Sequence, residues 1–310
     1  MTPDESSTDA PADESQSKTT RRTLLGSLGI AGATVLTGCT VSGEVDRETA
    51  SVEYTVPGNE VDRVSVSGGD GETTVRRWDG TDVRVEATKF ARGKTELSDV
   101  TVTREVSGGR LDVGAEVPVQ VGIGAFGGGL DSLDVRVPEG ARVTRVDIDD
   151  GSGRVTGVTG DIDLDVDDGS AEVGPVDGRL DVTVDDGTVT VGEVERVAGE
   201  LDDGGLEMSE PATLGNLNAD DGDLDLAIED IDGDVTVHCD DGDVTARVIP
   251  TTDATVVANA DDDAVRFEGG LFDSVTTTGG TTRGRIGDGN DQLTIDVDDG
   301  EIRVKPFRQR

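Results

Sequence analysis

Apolar and polar residues alternate with a period of two along most of the second half of the chain. In residues 161–166, for example, Ile162, Leu164 and Val166 alternate with aspartates. This pattern is typical of a β-strand with one buried and one solvated face. Between residues 147 and 304 no helical spacing of about 3.6 residues competes with it. The sequence therefore predicts an all-β fold.

One motif, Asp-Asp-Gly, returns throughout the same region. Its copies are residues 149–151, 167–169, 185–187, 202–204, 220–222, 240–242 and 298–300, with a degenerate copy at 261–263. The first six steps between copies are 18, 18, 17, 18, 20 and 21 residues. A nearly fixed period of this size indicates stacked structural units.

Two columns of apolar residues flank the motif and are expected to face the core. The residues before each Asp pair are Ile148, Val166, Val184, Leu201, Ala219, Cys239, Ala260 and Val297, and those two positions after each Gly are Gly153, Ala171, Val189, Leu206, Leu224, Val244 and Ile302. A weaker turn is expected half a period later, at Gly160, Gly178, Gly199, Gly215 and Gly233. The pattern predicts a single-stranded β-solenoid, or β-helix, with about 18–20 residues per coil and glycines that supply a positive φ at each corner.

The chain divides into five segments on this interpretation. Residues 1–39 are expected to be an export signal, 40–60 a linker, 61–140 a β-rich N-terminal part that caps the solenoid, 141–304 the repeat solenoid, and 305–310 a basic tail. Four of the seven aromatic residues lie between Tyr54 and Phe126, so the N-terminal part is expected to hold a wider core.

The first segment has the features of a twin-arginine signal followed by a lipobox. Arg21 and Arg22 precede an apolar run that is shorter than the roughly 20 residues a spanning helix needs. Small residues then lead to Cys39, which is expected to become the lipidated N-terminus. These residues predict export by the twin-arginine route and anchoring at the outer face of the cell membrane, the membrane being a partner through the lipid.

The charge is strongly acidic, with 67 Asp and Glu against 27 Lys and Arg, a net charge of −40. Only 4 of the basic residues are lysines. This balance, with few aromatics, is typical of proteins from extreme halophiles, the haloarchaea among them, where salt screens the repulsion between acids. The same charge excludes nucleic acid as a partner.

The side chains offer little material for catalysis. His238 is the single histidine, and its strand pattern places it on the surface, with Cys239 buried as a small apolar residue. The acids repeat in every coil, whereas a polysaccharide-active solenoid enzyme needs an asymmetric cluster. No catalytic residue and no resident cofactor are therefore assigned, and the enzyme interpretation is kept only as a lesser alternative.

A calcium-binding β-roll is the other alternative. Residues 287–293 resemble one unit of the nonapeptide calcium repeat, in which Asp288, Asn290 and Asp291 would supply oxygen ligands. The match occurs once, whereas a roll consists of tandem copies.

Several segments together resemble the DUF4097 family. They are Trp78-Asp79-Gly80, residues 83–87, residues 133–140, and repeat units such as residues 178–189. The similarity covers about residues 52–304, and it departs from the family where Asp-Asp-Gly replaces the Ser/Thr-Ser-Gly of many members. The resemblance implies an exported or surface β-solenoid of a group described as adhesin candidates, with no catalytic residues to carry over. The expected function is that of a non-catalytic adhesin or envelope interaction protein, whose partners would be surface-layer protein or extracellular polysaccharide.

Overall fold

The alternating pattern forms strands in nearly every part of the chain that the structure describes. The computed structural model describes residues 39–42, 47–93, 95–117, 127–260 and 264–308, which lie in the unit Gly32–Arg310. In the strand Ile162–Val166, the side chains of Ile162, Leu164 and Val166 are buried, whereas Asp163 faces solvent. Extended backbone is what places every second side chain in the core. The predicted all-β class is confirmed.

The described residues contain 26 strands. In chain order they are β1 (Cys39–Ser42), β2 (Arg47–Val56), β3 (Arg63–Ser67), β4 (Glu72–Trp78), β5 (Val83–Arg92), β6 (Thr101–Ser107), β7 (Arg110–Glu116), β8 (Gly128–Pro138), β9 (Arg142–Ile148), β10 (Ser152–Thr156), β11 (Val158–Thr159), β12 (Ile162–Val166), β13 (Ser170–Val173), β14 (Val176–Asp177), β15 (Arg179–Val191), β16 (Arg196–Met208), β17 (Ala212–Asp221), β18 (Leu224–Ile231), β19 (Val235–Asp241), β20 (Val244–Val248), β21 (Ala254–Ala260), β22 (Val265–Phe267), β23 (Ser274–Thr278), β24 (Thr281–Ile286), β25 (Asp291–Asp299) and β26 (Ile302–Pro306). A short 3₁₀ helix, Gly58–Glu60, lies between β2 and β3. Within the described ranges no helix is long and apolar enough to cross a membrane.

Two sheets meet at the Asp-Asp-Gly corners and share β15 and β16, which run through the corner without a break. Sheet A has the order β6-β7-β3-β9-β12-β15-β16-β17-β19-β25-β21-β24-β23. Sheet B has the order β1-β2-β5-β8-β4-β10-β13-β15-β16-β18-β20-β26-β22. Neighbouring strands are parallel in the middle of both sheets, and antiparallel strands close both ends of sheet A and the β1 end of sheet B, whereas β22 closes the other end of sheet B as a parallel strand. A chain that winds in this way is a β-solenoid, as the repeat predicts.

Each turn of the solenoid brings equivalent residues of successive repeats into register. Ile162 in β12 lies opposite Leu180 in β15, which lies opposite Val197 in β16. The predicted apolar columns are buried as expected, except that Ala260 is only half-buried. The core between the sheets is therefore a narrow stack of Val, Leu, Ile and Ala side chains.

Close approach between coils, more than backbone conformation, explains the corner glycines. A Cβ on Gly187 would lie 2.5 Å from the carbonyl oxygen of Gly169. Of the glycines in the motif, only those at 222, 242 and 300 have a positive φ. The prediction that each corner needs a positive φ is therefore wrong for the first four copies, where a side chain is excluded by the neighbouring coil.

The half-period turn forms at three of its five predicted glycines. Gly160, Gly178 and Gly233 have positive φ at bends between strands. Gly199 and Gly215 instead lie within β16 and β17. Gly199 lies against a backbone carbonyl of β15, and Gly215 lies beneath an arginine side chain of β16. At both positions there is no space for a Cβ atom.

The last coil of the chain is inserted into the stack rather than added to its end. β25 lies between β19 and β21, and β26 lies between β20 and β22. The corner at residues 298–300 therefore stacks directly on that at 240–242. The first coil is inserted in the same way, because β3 and β4 lie between the coil of β7 and β8 and the coil of β9 and β10.

Three expectations about the ends of the chain need correction. The linker expected at residues 40–60 contains β2, which pairs along its whole length with β5. The ring of Trp78 does not fill a wider core but is half-buried beneath the Arg84 guanidinium, whereas Tyr54, beneath the Arg104 guanidinium, does pack against the core. The basic tail at 305–310 begins inside β26, and its last two residues lie outside the described part.

Candidate functional site: the aspartate ladder

The Asp pairs of the motif form one continuous acidic surface along a corner of the solenoid, here called the aspartate ladder. Its members are Asp149, Asp150, Asp167, Asp168, Asp185, Asp186, Asp202, Asp203, Asp220, Asp221, Asp240, Asp241, Asp298 and Asp299, and all of them are exposed. Asp203 lies opposite Asp186 on one side and Asp221 on the other. With rungs about 4.8 Å apart, the ladder is about 30 Å long.

Hydrogen bonds between the backbones of successive coils stabilise the corners, and the aspartate side chains take no part in them. The N–H of Asp186 donates to the carbonyl oxygen of Asp167 at 2.8 Å, and the N–H of Asp167 donates to that of Ile148 at 2.9 Å. Since the corner amides bond to the preceding coil, the carboxylates are not needed to cap the turn. The aspartate side chains are thus exposed to a partner or to solvent cations.

Within the described residues, arginines pair with acids on the strand faces but not with the ladder. Arg145 pairs with Asp147 and Asp165, with N–O distances of 2.6 and 2.9 Å. Other face pairs are Arg76–Asp134, Arg154–Glu172, Arg196–Asp232, Arg247–Asp225 and Arg266–Glu301. Among the residues that the structure describes, the basic side chain in contact with the ladder is His238, whose Nε2 lies 2.8 Å from Oδ1 of Asp240. The ladder is therefore an anionic stripe without arginine partners.

The ladder has one further rung that the Asp-Asp-Gly repeat did not predict. The carbonyl oxygen of Gly71 accepts a hydrogen bond from the N–H of Ser152 at 3.2 Å, so the corner at Asp70 and Gly71 stacks directly on the first motif. Asp70 is also among the charges that raise the pKa of Asp149, after burial and Asp167. A Gly-Asp-Gly flanked by two alternating segments is the signal that could have identified this rung.

The stacking raises the pKa of ladder carboxyls. The pKa of Asp203 is above its ordinary value because of lost hydration and then because of its interaction with Asp221 in the next coil. The pKa of Asp185 is raised by the same causes, with Asp202 as the neighbour. Like charges directly opposite one another in a sheet destabilise it, so the ladder opposes folding when it is fully ionised.

Neutralising one rung is expected to stabilise the protein at neutral pH and low salt. Because the folded pKa of Asp203 is raised, the stability linked to this group is present below the ordinary aspartate pKa and is lost as the pH rises through the raised value. The substitution Asp203→Asn removes this loss of stability at neutral pH. We expect its melting temperature to exceed that of the original protein at low ionic strength, and the difference to shrink in multimolar KCl, where the Debye length is about 3 Å or less and the repulsion between rungs is screened. Thermal unfolding followed by circular dichroism measures both.

Replacing Asp134 is a control for which the expected change in melting temperature has the opposite sign. Burial would raise its pKa, but hydrogen bonds from Arg76 and Arg136 outweigh burial and lower it. Its stability contribution is therefore present above the ordinary aspartate pKa and is lost as the pH falls through the lowered value. Asp134→Asn should lower the melting temperature at neutral pH, and the deficit should shrink in acid. If both variants were stabilised alike, repulsion along the ladder would not be the cause.

His238 and Cys239 take the positions that the alternation predicts. Cys239 is fully buried, and His238 faces outward with its side chain 38% exposed. The thiol donates a hydrogen bond to the carbonyl oxygen of Gly222 at 3.5 Å, and burial, followed by the charges of nearby aspartates, raises its pKa to about 11. A thiol in this state is a poor nucleophile.

The buried thiol is expected to report on opening of the corner. In a Cys39→Ser variant, Cys239 is the one remaining cysteine. We expect its reaction with a thiol reagent in multimolar KCl to be slower than in denaturant by about 10³-fold or more, since labelling requires local opening. The rate should rise when the salt is removed and ladder repulsion returns. Equal rates in folded and denatured protein would contradict the buried position.

The predicted calcium loop is held by hydrogen bonds to Asp253. The backbone N–H of Gly289 donates to Oδ1 at 2.5 Å, and the side-chain amide of Asn290 donates to Oδ2 at 2.6 Å. Asp288 is exposed and Asp291 half-buried. Over the described ranges no group of three or more His, Cys, Asp or Glu side chains could hold a metal ion. Calcium binding by Asp288, Asn290 and Asp291 stays a prediction, with Asn290 occupied as a donor.

Of the residues predicted for export and lipidation, the structure describes only Cys39. Arg21 and Arg22 lie outside the described residues. Cys39 is the first residue of β1, and its backbone lies opposite Ala50 in β2. Export and lipidation therefore stay predictions from the sequence.

The fold and the corner together define the protein as a β-solenoid with an exposed acidic ladder. It belongs to the Toastrack DUF4097 family, which matches residues 40–305. No curated protein matches the sequence.

Two solved structures are similar to this chain over most of their length. A "putative adhesin" from Bacteroides fragilis is 13% identical with a TM-score of 0.48, the match covering 83% of this chain and 96% of that one. A "putative lipid binding protein" from Parabacteroides distasonis is 11% identical with a TM-score of 0.46, covering 84% and 95%. Similarity at this distance carries no argument about function.

Proposed function

We propose that this protein is an exported, lipid-anchored protein of the cell surface that acts as an adhesin or envelope interaction protein, without catalysis. Membership of the Toastrack DUF4097 family supports this role. The order of Arg21, Arg22, an apolar run and Cys39 supports export and anchoring. The arginine-free aspartate ladder is the observation that carries the proposal.

The ladder is suited to multivalent contact. Equivalent carboxylates recur about every 4.8 Å, so a partner with repeated cationic groups can engage several rungs at once. A partner with its own acids can be reached through divalent cations, which prefer carboxylate oxygens. Surface-layer protein and extracellular polysaccharide are the proposed partners.

The uniformity of the ladder is the reason for proposing a binding function over catalysis. A solenoid enzyme requires one position at which acid, base and substrate groove differ from the rest. Here successive rungs are alike, and the single histidine is paired with Asp240 at 2.8 Å. The thiol of Cys239 is buried and has a raised pKa.

Retention on candidate partners tests the proposal. The chain with Cys39→Ser would be applied to intact cells, isolated surface-layer protein and cell polysaccharide in multimolar KCl, with and without millimolar calcium. Saturable retention on one of them is expected, and calcium dependence would identify cation bridging. Absence of retention on all three would overturn the adhesin function.

A matched pair of variants locates the binding surface. Asp203→Asn, Asp221→Asn and Asp241→Asn together remove three charges from adjacent rungs. Asp177→Asn, Glu193→Gln and Glu229→Gln remove three exposed charges elsewhere. Loss of retention in the first variant with retention kept in the second is expected. The same loss in both would assign binding to total charge and contradict a role for the ladder.

A further inference from the structure

In the described part of the chain, sheet A ends in an edge strand at each end, of which β6 carries the charged residues Arg104 and Glu105 and β23 carries none. Within the described residues β6 pairs only with β7, and β23 pairs only with β24. All five residues of β23 (Ser-Val-Thr-Thr-Thr) are exposed, and none is charged. Soluble proteins normally block such an edge with charge, proline or a bulge. An uncharged edge is unexpected in a chain with a net charge of −40.

Among the residues that the structure describes, the most exposed valines lie on these two edge strands. Val275 in β23 is 49% exposed and Val106 in β6 is 42% exposed. Val106 lies opposite the fully buried Leu111, and Val275 lies opposite the buried Gly284. Since directly opposed residues point to the same side of a sheet, both valines project on the core side. They are exposed because the stack ends there.

The two ends have complementary outlines. Sheets A and B each contain 13 strands in the described part. At one end sheet A extends two strands beyond sheet B, with β24 and β23 past the coil of β21 and β22. At the other end sheet B extends two strands beyond sheet A, with β2 and β1 past the level of β6 and β5. The overhang of one end therefore matches the recess of the other.

Charge is complementary across the same ends. Arg283 and Arg285 on β24 are exposed on the outer face next to β23. Glu105 on β6 and Glu116 on β7 are exposed on the outer face of the opposite end. Neither arginine takes part in an ion pair within the described residues, so both are available to acidic side chains of a second copy.

We propose that copies of this chain associate end to end, with β23 of one copy adding antiparallel to β6 of the next. The pairing continues sheet A, buries Val275 and Val106 in a joined core, and places Glu105 of β6 two strands from Arg283 and Arg285 on the same outer face. The contact is head to tail, so each copy keeps one free end and further copies can add. This association is independent of the proposed adhesive function.

Sedimentation velocity of the full chain with Cys39→Ser, in multimolar KCl over a range of concentrations, tests the association. Concentration-dependent dimers and longer species are expected. Val275→Asp blocks one end and Val106→Asp the other, and each should weaken association by about 100-fold or more. Thr188→Asp, at an exposed position in the middle of β15, adds the same charge and should change nothing. Unchanged protection of the Cys239 thiol verifies folding of every variant.

Mixing the two blocked variants gives the decisive result. Each keeps one intact end, so the mixture should form a dimer and nothing larger, although neither variant associates alone. Dimers of Val106→Asp alone would indicate that two β23 edges pair symmetrically and would overturn the head-to-tail arrangement. A monomer at every concentration of the original protein would overturn self-association and leave these edges for a strand of another protein.

Discussion

Gly187→Ala should destabilise the protein by about 3 kcal/mol, because it places a methyl group where two coils touch. The added Cβ would lie 2.5 Å from the carbonyl oxygen of Gly169 and 3.1 Å from Cγ1 of Val166. The neighbouring amide of Thr188 donates to that carbonyl at 3.2 Å, so the coils cannot separate without weakening this hydrogen bond. Denaturant unfolding in multimolar KCl, followed by circular dichroism, measures the free energy of unfolding.

Gly140→Ala is the matched control. A Cβ at Gly140 meets nothing within 4 Å, and, like Gly187, this residue has no positive φ. Alanine there reduces the freedom of the unfolded chain and should leave stability unchanged or raise it by up to about 1 kcal/mol. An equal loss of stability in the two variants would show that close approach of the coils is not what Gly187 provides.

The repeated part of the fold could be predicted because its determinants are local. The in-out alternation of β12 and the apolar residues beside each corner lie within one coil, so a single repeat specifies them. The order of coils could not be predicted in the same way. β25 pairs with β19 and β21, and nothing local in the segment Asp291–Asp299 distinguishes an inserted coil from a terminal one.

The candidate site, too, could be predicted only in part from the sequence. The aspartate ladder follows from the period, because equal spacing along the chain becomes vertical stacking in a solenoid. The arginine pairs that leave the ladder uncompensated depend on cross-strand neighbours such as Arg145 and Asp165, which are 20 residues apart. The hydrogen bond from the side-chain nitrogen of Asn290 to Asp253 spans 37 residues. Long-range side-chain contacts of this kind are not encoded in any single motif.

Ile295→Ala should lower the free energy of unfolding by about 2–5 kcal/mol, because it leaves a cavity in the inserted coil. Ile295 is fully buried in β25, opposite Val237 in β19 and Ala258 in β21. Since β21 reaches the rest of sheet A through β25, loosening this strand should release β21, β24 and β23 first. We expect hydrogen exchange to show lost amide protection across residues 254–286 and retained protection across residues 162–208.

Thr294→Ala tests whether the loss of stability expected for Ile295→Ala results from the burial of that side chain. Thr294 is the neighbour of Ile295 in β25, but it is half-buried on the outer side of the sheet. Its replacement should cost less than about 1 kcal/mol, as for most surface changes. If Ile295→Ala left exchange at residues 254–286 unchanged relative to residues 162–208, the end coils would not depend on the inserted strand. The order of strands in sheet A makes the opposite result the expected one, because β25 is the link through which β21 and the terminal hairpin join the central coils.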